Sequence, residues 1–416
     1  MAKTVFVLGA GFSKDAGFPL QSGILSLITD SEFVGLADIS SHPKLDAPTT
    51  TFLRERKELI KFLGRVFRPL EQRLEDIFTL LDQAISTRAA FAGYKVTDLI
   101  RLRDAWVRSI LFCLHKRSEE HLAKPASMYV RFAEWLIGER LAAGLAGDPV
   151  SVVSLNWDSL LEDSLYRVIR DLGALGRVDV DYCVYTTPLH PNPAICPHTP
   201  SPKQRAARIF NLKLLKLHGS ATWLRCPNSG LVYTGLGMAT PASQLYVAER
   251  RSPFMERYRS GRGAVVTSLL EPYIITPTYS KVFDLPHIQT TWQNAFVELR
   301  EARKIIFVGY SLPDADYHFR TLLIRAIRPN AKIRVVLAKA DDPAEYDLDR
   351  PGVALPDGLR ARLSRVPEML LPEWRYRRLF DDSVTFDYNG VESLIESLVS
   401  INGPVDYKRM CKKLKV

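Results

Sequence analysis

Long apolar runs and paired cysteines are both missing from this chain of 416 residues. No stretch approaches the ~18–20 consecutive apolar residues that a membrane-spanning helix needs, so no membrane association is expected. The five cysteines, Cys113, Cys183, Cys196, Cys226 and Cys411, include no C-x-x-C pair. Neither a disulfide framework nor a four-cysteine zinc module is therefore expected. Cys183, Cys196, His198 and Cys226 match no zinc spacing, and no metal is expected. A secretory leader is missing too: the chain enters a strand-like run at Thr4, and a cytoplasmic protein is expected. What remains is ordinary for a globular protein, with 46% hydrophobic and 25% charged residues. The net charge of +10 suits a nucleic-acid surface, an acidic partner or simple solubility, and a basic mouth would also suit an anionic small molecule.

The stretch that organises the chain is its start. Thr4-Val5-Phe6-Val7-Leu8 reads as a buried strand, followed by Gly9-Ala10-Gly11-Phe12-Ser13-Lys14-Asp15-Ala16-Gly17-Phe18-Pro19. A strand, then glycines, then an amphipathic segment is the entrance of a nucleotide-binding α/β domain, where backbone N–H groups and a helix N-terminus face a pyrophosphate. The third glycine of G-x-G-x-x-G is lacking: Lys14 stands there, and Gly17 comes three positions late.

Residues 14–30 read as the first helix and 31–50 as loop. Residues 51–145 read as a helical block, with Leu59, Leu63, Val66 and Leu70 at helical spacing and Ile60 and Phe67 beside them. Arg54, Lys57, Lys61, Arg65 and Arg68 form a basic stripe, read as a solvated face, with nucleic-acid contact as the sharper alternative. Pro69 is expected to end that helix; further helices are expected at 74–82, 96–118 and 125–145. Strands follow at 149–155, 211–217, 271–278, 304–308, 332–337 and 384–387, and helices at 159–171, 285–302, 314–327 and 390–401. The proline-rich segment 173–210 and residues 341–375 read as irregular, and 225–270 has no readable pattern. The expected fold is α/β, a Rossmann-like parallel sheet with a helical insertion domain. Residues 1–50 and 146–403 form the sheet domain, 51–145 the insertion and 404–416 a basic tail.

Four segments carry a resemblance. Gly9-Ala10-Gly11-x-Ser13, Ser154-Leu155-Asn156-Trp157-Asp158, Lys216-Leu217-His218-Gly219-Ser220 and Val308-Gly309-Tyr310-Ser311-Leu312-Pro313 occur in the order of the sirtuin superfamily's motifs. The chain most resembles the sirtuin-like NAD-hydrolase domains of bacterial anti-phage defence proteins, with Trp223 after the His-Gly pair. The resemblance implies NAD as substrate and cleavage of its ribose–nicotinamide bond. It makes His218 the catalytic base, Asn156 the residue whose loss abolishes activity and Asp158 a contact to the nicotinamide amide. Gly9, Ala10, Gly11, Phe12 and Ser13 are expected at the phosphates, Gly309 and Ser311 at the adenosine end.

The residue types suit that chemistry. An imidazole, with an ordinary pKa near ~6.5, can take a proton from water or a ribose hydroxyl. A carboxamide cannot, but it can orient either one. The cleavage passes through an oxocarbenium-like state, as in glycoside hydrolysis. Each residue also has a structural reading: a strand-end histidine for His218, helix capping for Asn156 and Asp158, helix N-termini for Asp314 and Asp316, and plain surface for Glu75-Asp76.

The sequence departs from the deacylating sirtuins. Leu20-Gln21-Ser22 replaces their Asp-Phe-Arg, Val335-Val336-Leu337-Ala338 replaces their Ile-Asn-x-Glu, and the zinc cysteines are absent. The resemblance then implies water as acceptor, and control by homo-oligomerisation or by a partner such as a HerA-like ATPase. The alternatives are an NAD-dependent deacylase or ADP-ribosyltransferase, and a non-enzymatic nucleotide- or DNA-binding subunit.

Overall fold

The computed structural model describes residues 3–29, 47–67, 73–122, 127–188, 209–234, 255–259, 265–279, 286–313, 316–337 and 372–402. Its central strand, β1 (Thr4–Leu8), alternates its side chains between two buried faces. A short helix, α1 (Ala10–Lys14), follows, and the chain then turns before α2 (Gln21–Thr29). The single helix expected over 14–30 is thus split. Gly17 holds φ at +87° and Pro19 follows it, and both interrupt helical backbone.

Four longer helices come next: α3 (Ala47–Val66), α4 (Leu74–Ser86), α5 (Val96–Leu122) and α6 (Met128–Ala142). The loop expected over 31–50 gives way to helix from Ala47; residues 31–46, with Arg68, Pro69 and Leu70, lie outside the described residues. In α3, Leu59 and Leu63 are buried and Ile60 is exposed, so the apolar stripe is narrower than its sequence pattern. Arg54, Lys57, Lys61 and Arg65 are exposed, and the Arg65 guanidinium lies 5.3 Å from the centre of the Tyr94 ring.

The sheet resumes with β2 (Val150–Ser154), α7 (Leu160–Asp171), β3 (Val178–Asp181), β4 (Thr187–Pro188) and β5 (Phe210–Lys216). Strands β3 and β4 fall inside 173–210, expected to be irregular. Val178 and Val180 point inward from β3, but two aspartates, poor strand formers, hide the alternation in the sequence. Strands β6 (Gly219–Arg225), β7 (Val232–Thr234), β8 (Met255–Arg259), β9 (Val265–Leu269) and β10 (Glu271–Ile274) build two small sheets, β10-β6-β7-β4 and β8-β9. Helix α8 (Pro286–Glu301), β11 (Lys304–Val308), α9 (Tyr317–Ala326), β12 (Lys332–Val336), α10 (Pro372–Phe380), β13 (Val384–Asp387) and α11 (Gly390–Asn402) complete the described chain. Helix α10 begins inside 341–375, also expected to be irregular.

The main sheet is parallel throughout, with order β13-β12-β11-β1-β2-β5-β3. Both faces are covered, which is why β1 and β11 at its centre read as near-continuous apolar runs. Phe6, Leu8, Val152 and Ile306 pack into one core with the helices α3 to α6, and Val5, Val7, Val153 and Phe307 into a second with α8 and α9. This is a Rossmann-like α/β sheet, with the helical insertion lying between β1 and β2. From β1 the chain first builds one side of the sheet, with β2 next to β1, β3 at the edge and β5 inserted between them, then crosses back to place β11 on the other side of β1. Loops diverge at such a reversal and leave a crevice at the carboxyl ends of the strands. No helix among the described residues is long and apolar enough to cross a membrane.

Candidate active site

Strand register carries the motif residues to one edge. Leu8 pairs with Ser154 and Val308, Ser154 with Lys216, and Val308 with Val336. The pairing extends one residue further: Gly9 N donates to Val308 O (3.0 Å), Leu155 N to Leu8 O (3.0 Å), Leu217 N to Ser154 O (3.0 Å) and Gly309 N to Val336 O (3.1 Å). Gly9, Asn156, His218, Gly309 and Leu337 therefore emerge side by side. All five line one cavity of about 680 Å³, a volume ordinary for a cofactor or substrate site.

The glycines serve loop packing first. Gly309 holds φ at +61°, and a Cβ there would lie 2.1 Å from Phe12 N; Gly11 N donates to Gly309 O at 2.8 Å. A Cβ on Gly9 would meet Tyr310 Cβ at 2.6 Å. The loops after β1 and β11 thus touch backbone to backbone, which only glycine permits. Two of the N–H groups expected to face phosphate are already engaged: that of Gly11 with Gly309, and that of Phe12 with Gly9 O at 2.9 Å. Gly9, Ala10, Gly11 and Lys14 line the cavity. Phe12 and Ser13 lie behind its wall: the Phe12 ring packs edge-on to Tyr129 (5.1 Å), and Ser13 is buried.

Ser13 has a different task. Asn156 Nδ2 donates to Gly9 O (2.9 Å) and to Ser13 Oγ (3.3 Å), and Ser13 Oγ donates to Asp158 Oδ2 (3.0 Å). A carbonyl can only accept, so the Gly9 contact fixes which end of the amide is nitrogen. The amide is locked by its NH₂ group, which leaves Oδ1 to meet a ligand. Asp158 lines the cavity, but Oδ2 accepts from Ser13 Oγ and Oδ1 accepts from Leu160 N (3.1 Å). Its carboxylate thus anchors the loop and the start of α7.

His218 sits at the turn from β5 into β6. Gly219 makes that turn with φ +74°, and a Cβ there would strike Tyr273 O at 2.1 Å. His218 Nδ1 lies 3.1 Å from Leu155 O. The carbonyl requires a proton on Nδ1, so Nε2 is the basic nitrogen. Two indoles brace the walls: Trp157 Nε1 donates to Ile275 O (3.1 Å) and Trp292 Nε1 to Leu217 O (2.9 Å). Beneath them, buried Lys216 donates to Asp158 O (2.7 Å) and pairs with buried Glu162 (3.2 Å), which also accepts from Ser220 Oγ (2.7 Å). Burial pushes the Glu162 carboxyl up, against the pull of Lys216.

At the β11–β12 end the cavity is lined by Ser311, Asp316, Leu337 and Arg375. Asp316 Oδ2 accepts from Tyr310 Oη (2.8 Å), and Arg375 donates to Ser311 O (3.2 Å). Asp314 lies outside the described residues. The helical insertion supplies Arg73, Leu74 and Glu75 to the same cavity. Burial raises the Glu75 carboxyl, with Asp76 and Asp316 adding to the rise and Arg73 opposing it. Sequence reasoning did not settle Glu75 and did not reach Lys14, Arg375 or Lys216. Lys216 left one signal: a lysine ending an otherwise buried strand demands a buried carboxylate partner.

The chain is similar in structure to several sirtuins. A mutant Sir2 homologue in complex with ADP-ribose matches 100% of this chain and 95% of its own at 14% identity, with a TM-score of 0.36. Sir2 with a p53 peptide and NAD+, and Sir2 bound to acetylated peptide, each match 96% of this chain and 93% of theirs at 14% identity and a TM-score of 0.34. No protein-family model and no curated protein matches the chain. At these scores the likeness decides nothing about activity, which rests on the residues around the cavity.

Proposed function

We propose that this protein is an NAD glycohydrolase, cleaving NAD with water to nicotinamide and ADP-ribose. One observation carries the reading: Asn156 and His218, more than sixty residues apart, converge on one cavity at the reversal point of a parallel sheet. From β5 to β12 that edge spans four strand spacings, roughly 19 Å, the reach of an extended dinucleotide. The nicotinamide ribose belongs at the β2–β5 end, beside His218 and Asn156, and the adenosine at the β11–β12 end.

The C–N bond between ribose and nicotinamide breaks with its electron pair going to the ring nitrogen, so nicotinamide leaves neutral. Asn156 Oδ1 orients a water by accepting one of its hydrogens. The water oxygen bonds to the ribose carbon, and His218 Nε2 takes the released proton. Asp158 acts as a positioning residue, through Ser13 and the α7 N-terminus. An enzyme that empties a cell of NAD needs restraint. We therefore assign it the role of an anti-phage defence effector held by oligomerisation or by a partner, a HerA-like ATPase being one form.

The test is NAD cleavage by wild type, Asn156→Ala and His218→Ala, with and without a candidate partner, with products separated by chromatography. Nicotinamide and ADP-ribose from wild type alone support the reading. Intact NAD in every condition, or O-acetyl-ADP-ribose formed only with an acetyl-lysine peptide, would contradict it.

A further inference from the structure

One face of α4 is turned toward the site. Glu75, Thr79 and Asp82 stand at i, i+4 and i+7, along one stripe of the helix. Thr79 Oγ1 lies 3.1 Å from Thr278 Oγ1 and accepts from Tyr279 N (3.0 Å). Asp82 binds Arg103 (2.5 Å), whose guanidinium also donates to Thr276 Oγ1 (3.3 Å). Thr276 and Tyr279 line the cavity, so the middle of α4 clamps one wall while its first turn delivers Glu75 to the same space. Glu75 shares its field with Asp316, which stands at the start of α9 just beyond the 309–311 loop. Two carboxylates from separate parts of the chain thus line one cavity, Asp316 at its β11–β12 end and Glu75 from the insertion. The residue that follows β12 there is Leu337, which offers no side-chain acceptor.

We propose that Glu75, supplied by the helical insertion, accepts hydrogen bonds from the adenosine ribose hydroxyls and, with Asp316, selects NAD over its 2′-phosphorylated counterpart. The inference rests on the assignment of the cavity to NAD. A carboxylate accepts from a 2′-hydroxyl and repels a phosphate at the same place. Among the described residues the cations on this cavity are Lys14, Arg73 and Arg375. Lys14, beside the glycine loop, serves the pyrophosphate. Arg73 and Arg375 are the groups that would favour a 2′-phosphate if the acid pair did not control this end.

Calorimetric titration of the full chain with ADP-ribose and with ADP-ribose 2′-phosphate tests this without requiring hydrolysis. Wild type should prefer ADP-ribose by tenfold or more, about the worth of one charged contact. Glu75→Gln, which keeps the shape, should weaken ADP-ribose and narrow the gap, and Glu75→Lys should reverse the preference. Thermal melts of both variants matching wild type establish that the fold is intact. An unchanged preference in folded variants, or equal binding of both nucleotides by wild type, would overturn the proposal and leave the NAD assignment standing. Binding of neither nucleotide by wild type would remove both.

Discussion

The two edges of the main sheet carry comparable clusters of charge and use them in opposite ways. At the amino-terminal edge Lys3 Nζ reaches Asp148 (2.6 Å), Glu298 (2.7 Å) and Glu301 (3.1 Å), and Lys213 Nζ reaches Asp148 and Glu298 (2.7 Å each). Burial opposes the charge on both lysines, but the bonds to Asp148 and Glu298 outweigh it and hold them above the ordinary lysine value. The three carboxylates lie close enough to hold a cation, but two ammonium groups already occupy the cluster. At the carboxyl edge the hydrogen bonds hold Asn156 through its NH₂ group and His218 through Nδ1, and both residues line the cavity. A network that consumes its own polar groups is structural; one that holds a carboxamide and an imidazole in the wall of a cavity is equipped for chemistry.

Substitutions at the two edges should separate these roles. His218→Ala and Asn156→Ala should each lower NAD cleavage by ~10²–10⁴-fold, because proton transfer and water orientation are lost, with melting temperature lowered only by the loss of their buried hydrogen bonds, about 1–3 kcal/mol. A fall in melting temperature matching the loss of activity would return these residues to a structural role. Gly309→Ala should do both kinds of damage. Its Cβ would overlap the Phe12 backbone in a left-handed conformation, at a cost of ~3 kcal/mol or more, and nucleotide binding should fail with it.

Glu298→Ala should show the reverse of the histidine variant. It leaves Lys3 and Lys213 undercompensated, so urea unfolding should reveal a loss of about 2–4 kcal/mol, while kcat stays at the wild-type value. A large loss of kcat in the folded variant would show that the amino-terminal edge takes part in the chemistry.

The smallest effect concerns Asp163, which accepts from Ser159 just after the 156–158 loop. Burial pushes its carboxyl up to about 7, against hydrogen bonds from Ser159 and Ser118 and with help from Glu162 and Asp158. In the unfolded chain it titrates near ~3.9. The folded state therefore binds the extra proton. The stability this group contributes is full below about pH 4 and is lost as pH rises toward and through 7. Asp163→Asn keeps an acceptor for both hydroxyls and removes the titration. Its melting temperature relative to wild type should climb from pH 5 to pH 8, by the equivalent of about 1–3 kcal/mol. A constant difference between the two would place the proton elsewhere.

The parts of the fold written as fully buried strands were legible in the sequence. Val5 to Leu8 and Ile305 to Val308 are apolar on both sides, Val150 to Ser154 is buried throughout with Ser151 and Ser154 among its valines, and the chemistry-bearing motifs follow those strand ends directly. Elements stabilised from outside themselves were not. Strand β3 carries aspartates at alternate positions and gains its stability from β5, while β7 to β9 lie in a stretch with no period of their own. At the site, the convergence of Asn156 with His218 was readable because strand register carries it. The engagement of the Gly11 and Phe12 N–H groups, the helix-anchoring bonds of Asp158 and the arrival of Glu75 were not. Each depends on how two distant loops or helices meet, which no local pattern encodes.

The most direct measurement is mass spectrometry of the products formed from NAD by the full chain in water enriched in heavy oxygen. The expected products are nicotinamide together with ADP-ribose carrying one heavy oxygen at the ribose carbon that held the base, with both lowered by ~10²-fold or more in Asn156→Ala. Bound NAD that stays uncleaved by wild type, or ADP-ribose without the label, would contradict the proposed NAD hydrolysis.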